Sequence, residues 1–269
     1  MVNRMRKTSD YKLMARQRMF YKYGALAGGT AIYGAIYVGI FILVIIAYSS
    51  NLLSQGVFQS VESMQAYIDE MAVSIEYTFI MEGIIILISA LMSTVSVALQ
   101  YMCLKVARGQ ETKISDLLYV VKNNPDKVII IFLVQHILTF VCNLPANMLA
   151  LYINRLGSNA SLEIVYYVFM IIGYIADIIF IVLFSQAMFI YIDDPQLNSM
   201  TCIRTSTIIM TKHFKKFISL YVSFVPMYIM AMFTLGAGYI WVIPYQYTTF
   251  ALFYMQLKGE LGSTVDVTV

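Results

Sequence analysis

The chain has 269 residues, of which 60% are apolar or aromatic and 12% carry a formal charge, with a net charge of +3. A soluble domain holds roughly 45–50% apolar and about 25% charged residues. Disorder, a collagen-like chain, a secreted disulfide scaffold and a nucleic-acid-binding domain are thereby excluded, which leaves a polytopic membrane protein.

A basic segment comes first, carrying Arg4, Arg6, Lys7, Lys12, Arg16, Arg18 and Lys22. The apolar run after it, 24–48, is longer than the apolar region of a cleavable signal peptide and reads as a retained signal anchor. A hydrocarbon layer about 30 Å thick needs roughly 20 helical residues. Six stretches supply them: 24–48, 78–104, 128–153, 164–192, 217–234 and 237–257. Only Leu235-Gly236 separates the last two, so a tight hairpin of two crossings is predicted. Of the 18 Lys and Arg, 17 fall before the first stretch, in the second-to-third and fourth-to-fifth connections, or in the tail; Arg155 is the exception. Cytoplasmic loops retain such residues. The expectation is an all-α membrane helix bundle, one integral-membrane domain over 1–269. It has six transmembrane helices in the plasma membrane and both termini in the cytoplasm.

Two amphipathic flanks accompany the bundle. Val57, Val61, Met64, Ile68, Met71 and Ile75 keep a helical spacing and predict an outer helix over 57–76. Glu62, Asp69, Glu70 and Glu76 make an acidic stripe on it. That stripe is either the solvated back of a cap on the bundle or an external face for a cationic ligand or peptide. On the inner side, Asp193-Asp194-Pro195 predicts a helix start, with an Asp cap and Pro in the first turn. An interfacial helix over 195–210 follows. Its Arg204, the later Lys212 and the basic N-terminal segment are expected to meet anionic lipid headgroups.

Ionisable groups at membrane depth are costly and mark candidate sites. Glu82 lies near the end of its span, where its carboxylate can snorkel outward. Asp177 lies near the middle of the fourth span, level with Asn143 on the third and with Asn147 one turn further out. A structural Asp–Asn contact and a functional midplane site are both open. His136 is either a hydrogen-bonded core histidine or a relay. Pro145, Pro226 and Pro244 each free a carbonyl one turn back that a neighbour must satisfy. Cys103, Cys142 and Cys202 read as packed free thiols. No catalytic motif, phosphate-cradling loop or metal-ligand spacing is present, so no enzyme activity, no cofactor and no nucleic-acid partner are expected.

The second half of the chain resembles the bacterial integral-membrane family called domain of unknown function 975. The resemblance rests on Arg108-Gly109, Asp116-Leu117-Leu118, Tyr191, Asp194-Pro195, Ser206, Met210, Phe217 and Ser223-Phe224. It is most specific over Thr234-Leu235-Gly236-Ala237-Gly238, Trp241, Pro244-Tyr245 and Phe253-Tyr254. It implies a six-helix bacterial membrane protein and no particular activity. The chain departs from the family pattern at Ala176-Asp177, where Pro-Gly is common, and at Thr211, where Gly is. Tyr239 and Trp241 are expected at the outer interface, where amphipathic rings anchor a helix. Pro244-Tyr245 is expected to bend the last span and shape a cavity. Two functions stay open: an accessory membrane component that acts on lipid or peptide, and a small transporter or channel built on the midplane groups.

Overall fold

A computed structural model describes residues 5–157 and 159–261, without the side chains of Ala72 and Val73. Every regular element among them is helical: α1 (Thr8–Met19), α2 (Tyr23–Ser54), α3 (Val61–Val73), α4 (Ile75–Ala107), a 3-10 turn (Ile114–Leu118), α5 (Tyr119–Lys122), α6 (Pro125–Leu156), α7 (Ala160–Phe184), α8 (Ala187–Asp193), α9 (Ser199–Val222), α10 (Val225–Met232) and α11 (Tyr239–Leu257). The chain folds as two compact units. Among the described residues, unit 1 holds 5–34, 93–131 and 182–261; unit 2 holds 35–92, 132–157 and 159–181.

Five helical stretches are long and apolar enough to cross a membrane: Tyr23–Ser54, Ile75–Ala107, Pro125–Leu156, Ala160–Asp193 and Ser199–Met232. The sixth predicted span, α11, is not among them. Gln246, Thr248, Thr249, Gln256 and several tyrosines make it too polar. Its surroundings accept that polarity, because thirteen of its 19 residues are buried inside unit 1. Three of its inward polar groups are paired: Thr249 donates to the Tyr245 carbonyl at 2.7 Å, Gln246 accepts from Tyr228, and Gln256 accepts from Tyr11. A buried polar group that is hydrogen-bonded escapes most of its desolvation cost.

α1 covers α11. Tyr11, Ala15 and Met19 recur every fourth residue and are buried, while Arg16 and Arg18 stay outside. The Tyr11 and Phe253 rings meet at 5.6 Å. The basic side chains of this segment turn toward helix ends. Arg18 donates to the Ala107 carbonyl at 3.1 Å, Lys22 to the Gly109 and Gln110 carbonyls, and Lys12 to the Ser223 carbonyl at 2.7 Å. Cations suit the last turn of a helix, where carbonyls lack an amide partner.

Two interruptions of the helices have polar partners. α7 ends at Phe184 and α8 begins at Ala187. Across the gap, Ser206 donates to the Leu183 carbonyl at 2.6 Å and accepts from the Gln186 amide at 3.2 Å. Pro244 removes the amide that would have bonded the Ile240 carbonyl. The Tyr23 hydroxyl donates to that carbonyl instead, at 3.2 Å. Tyr23 also stacks on Trp241 at 6.2 Å. Trp241 therefore sits beside the basic start of α2, and the expectation that it anchors the opposite interface is corrected.

The start of α9 also differs from expectation. Its N-cap is Asn198, whose side chain accepts from the Met200 amide at 3.1 Å, and the helix runs on without a break to Val222. Asp194-Pro195 lies in the preceding turn, where Asp194 accepts from the Gln196 amide. Ser and Asn compete with Asp as caps, and only the turn geometry selects among them. Between α10 and α11, Leu235 and Gly236 both take positive φ (51° and 87°). A Cβ on Gly238 would fall 2.8 Å from Ala231 Cα. Gly236 and Gly238 are the positions of this turn where the backbone requires glycine.

Arg108, Asp116, Tyr191 and Tyr254, which carry part of the resemblance, have polar partners in unit 1. Asp193 accepts from Arg108 at 2.7 Å, from Lys258 at 2.6 Å and from Tyr254 at 2.7 Å, and Arg108 also pairs with Glu260 at 2.8 Å. The hydrogen bond from Arg108 holds the Glu260 carboxyl below its ordinary range. Asp116 pairs with Lys105 at 2.7 Å. Tyr191 donates to the Asn123 carbonyl.

Candidate functional site

Unit 2 contains the polar side chains that the sequence places at membrane depth. The periodicity of α6 sets Asn143 and Asn147 four residues apart on one face. α7 brings Asp177 against them. Asn143 Nδ2 donates to Asp177 Oδ1 at 3.1 Å and lies 3.3 Å from Oδ2. The same amide bonds the Thr139 carbonyl of its own helix at 3.0 Å. Gly173, one turn before Asp177, permits this approach: a Cβ there would lie 2.1 Å from Asn143 Oδ1.

A cavity of about 280 Å³ opens beside the pair. Its wall includes Glu82, Asn143, Asn147, Tyr166, Tyr174 and Asp177. A second cavity, of about 590 Å³, is lined by Tyr48, Tyr67, Tyr77, Glu82, Asn147 and Asn154, with Ile68 and Met71 of α3. Tyr48 and Tyr77 join hydroxyl to hydroxyl at 2.9 Å across its wall. Glu82 and Asn147 belong to both walls. Glu82 thus lines a cavity in addition to lying near the helix end. Two carboxylates and two carboxamides around one small space can accept hydrogen bonds from an ammonium or guanidinium group. Among the described residues no cluster of three His, Cys, Asp or Glu is arranged to hold a metal ion.

The other predicted residues fall elsewhere. His136 packs on Phe132, ring to ring at 4.1 Å, and lines neither cavity. Glu62, Asp69, Glu70 and Glu76 are exposed, and Asp69 accepts from Gln65 at 2.8 Å. Along the apolar stripe of α3, Ile68 and Met71 line the cavity, but Ile68 is also exposed, as are Val61, Met64 and, at the start of α4, Ile75. Pro244 and Tyr245 lie in unit 1. The Pro244 carbonyl faces Cys103 Sγ at 3.6 Å, and the Tyr245 hydroxyl accepts from Arg16 Nε at 3.1 Å.

The tyrosines of the cavity walls were not singled out from the sequence. Tyrosine is common throughout this chain, and its helical spacing alone does not separate a lipid-facing ring from a cavity-facing one. Gly173 was a usable signal, since a small residue one turn from a half-buried carboxylate permits a neighbouring helix to approach.

The sequence profile of a family described only as protein of unknown function, DUF975, matches residues 5–260 of this chain. No curated protein and no solved structure matches it.

Proposed function

This chain belongs to the DUF975 family, and from that premise we propose that it is a non-enzymatic component of the bacterial plasma membrane that receives a cationic group of a peptide or lipid in the unit 2 cavities. The observation carrying this reading is the wall shared by the two cavities at Glu82 and Asn147. It lets one ligand meet the tyrosine-lined space and the Asn143–Asp177 pair. The exposed acids of α3 and the start of α4 add a field that draws cations. The basic ends of α2, α4 and α6 face the cytosol, as do both termini.

The last apolar stretches enter and leave on that same side. Ser199 at the start of α9 bonds the Lys127 carbonyl at 3.1 Å, and Ser223 at its end accepts from Lys12. The turn after α10 leads to Trp241, beside Tyr23. α9 to α11 then form a re-entrant hairpin behind four crossings, α2, α4, α6 and α7 with α8, in place of six.

The test uses the full chain in lipid nanodiscs and a fluorescent Lys- and Arg-rich peptide. Saturable, salt-sensitive binding is expected, weakened about tenfold in Asp177→Asn and Glu82→Gln, the ratio that one hydrogen bond to a charged group supplies. Equal binding by both variants would remove the cavity from the mechanism. A second reading, a small transporter, is favoured by Asp177 near the middle of the Ala160–Asp193 stretch and by Pro145 within α6. It requires flux into liposomes that Asp177→Asn abolishes.

A further inference from the structure

Unit 1 contains a separate cavity of about 410 Å³, inside the roughly 300–1,000 Å³ range of ligand sites. Met19, Phe20, Met227 and Trp241 make most of its wall apolar, and Arg16 and Tyr245 supply its polar side. The guanidinium is held in place: Nε donates to the Tyr245 hydroxyl at 3.1 Å, and the group lies 5.5 Å from the Tyr245 ring centre. Its terminal amino groups have no protein partner among the described residues. Lys12, Arg18 and Lys22, by contrast, are committed to carbonyls at helix ends. Two of its lining rings face outward, with Phe20 75% and Trp241 56% exposed. Rings of this kind, set beside a basic helix, belong at a bilayer surface.

We propose that this cavity is a binding site for one anionic phospholipid of the cytosolic leaflet. Arg16 takes the phosphodiester through its terminal amino groups, which suit a phosphate's paired oxygens. An acyl chain lies along Met19, Phe20, Met227 and Trp241. The inference rests on the membrane reading above and is independent of the unit 2 cavities.

Native mass spectrometry of the detergent-purified full chain tests it, with phosphatidylglycerol, phosphatidylcholine and inorganic phosphate as probes. Wild type is expected to retain phosphatidylglycerol about fivefold over phosphatidylcholine, the ratio one basic residue supplies at an anionic surface. Arg16→Gln should bring that ratio to about one and Arg16→Lys should keep most of it, on the same charge argument. Met227→Trp, which fills the cavity, should lose both lipids. Asp177→Asn should retain the wild-type preference, which separates failure here from failure of the unit 2 reading. Equal retention of the two lipids by wild type would overturn the proposal. So would an unchanged preference in Arg16→Gln, full lipid retention by Met227→Trp, or displacement of phosphatidylglycerol by an equal concentration of inorganic phosphate.

Discussion

Replacing Gly173 by alanine tests the architecture of the unit 2 site with one methyl group. The new Cβ would stand 2.1 Å from Asn143 Oδ1 and 2.9 Å from its Cγ, against the roughly 3.5–4.0 Å of an ordinary contact. The obstructing atoms are the end of a side chain, so the amide swings aside and the helices need not part. In doing so it gives up its bond to Asp177. An interhelical hydrogen bond in a membrane contributes about 0.6–1.7 kcal/mol, and a forced rotamer adds about 0.5–1.5 kcal/mol. The expected loss is therefore about 1–3 kcal/mol. Equilibrium unfolding in mixed micelles would measure it for Gly173→Ala, Asn143→Ala and the double variant. Once Asn143 is truncated the methyl has room, so Gly173→Ala should then cost nothing and could recover up to about 1 kcal/mol of helix propensity. Additivity of the two single losses within about 0.5 kcal/mol would refute the reasoning.

Tyr23→Phe should cost about 1–2 kcal/mol, because the Ile240 carbonyl that Pro244 frees would lose its donor; in a Pro244→Ala background, where the amide returns, the loss should shrink to near zero in the same unfolding assay. Ser206→Ala leaves the Leu183 carbonyl and the Gln186 amide without their shared partner, and a loss of about 2 kcal/mol is expected in thermal unfolding of the purified chain. Glu260 is held below its ordinary range chiefly by Arg108, so the stability it contributes is present above the unfolded value, about 4.3, and is lost as pH falls through the lower folded value. Glu260→Gln should flatten the acid limb of the stability profile, and an unchanged limb would dissociate this pair from the fold. A cysteine at Leu235, the fully exposed tip of the α10–α11 turn, should resist a membrane-impermeant maleimide added outside intact cells; ready labelling would restore two full crossings and end the re-entrant reading.

Much of the chain was legible one residue at a time. Apolar stretches of sufficient length place α2, α4, α6 and α7, because a helix in hydrocarbon must be apolar wherever lipid touches it. The common level of Asn143 and Asp177 follows from the helical rise along two neighbouring antiparallel helices, and the two side chains do meet. The acidic stripe of α3 needs only a heptad count. Other features are properties of pairs of helices and have no local sign. α11 looked like a sixth span because its aromatic residues suit lipid and protein interiors equally well; burial in unit 1 supplies partners for its glutamines and tyrosines. The basic residues before α2 looked alike, yet three of them cap helix ends and Arg16 turns to a cavity, a division set by which carbonyls lie within reach. The outward snorkelling assigned to Glu82 treated a lone helix in lipid. Packing against α6 supplies a cavity wall, and only the fold could place Asn147 on that same wall.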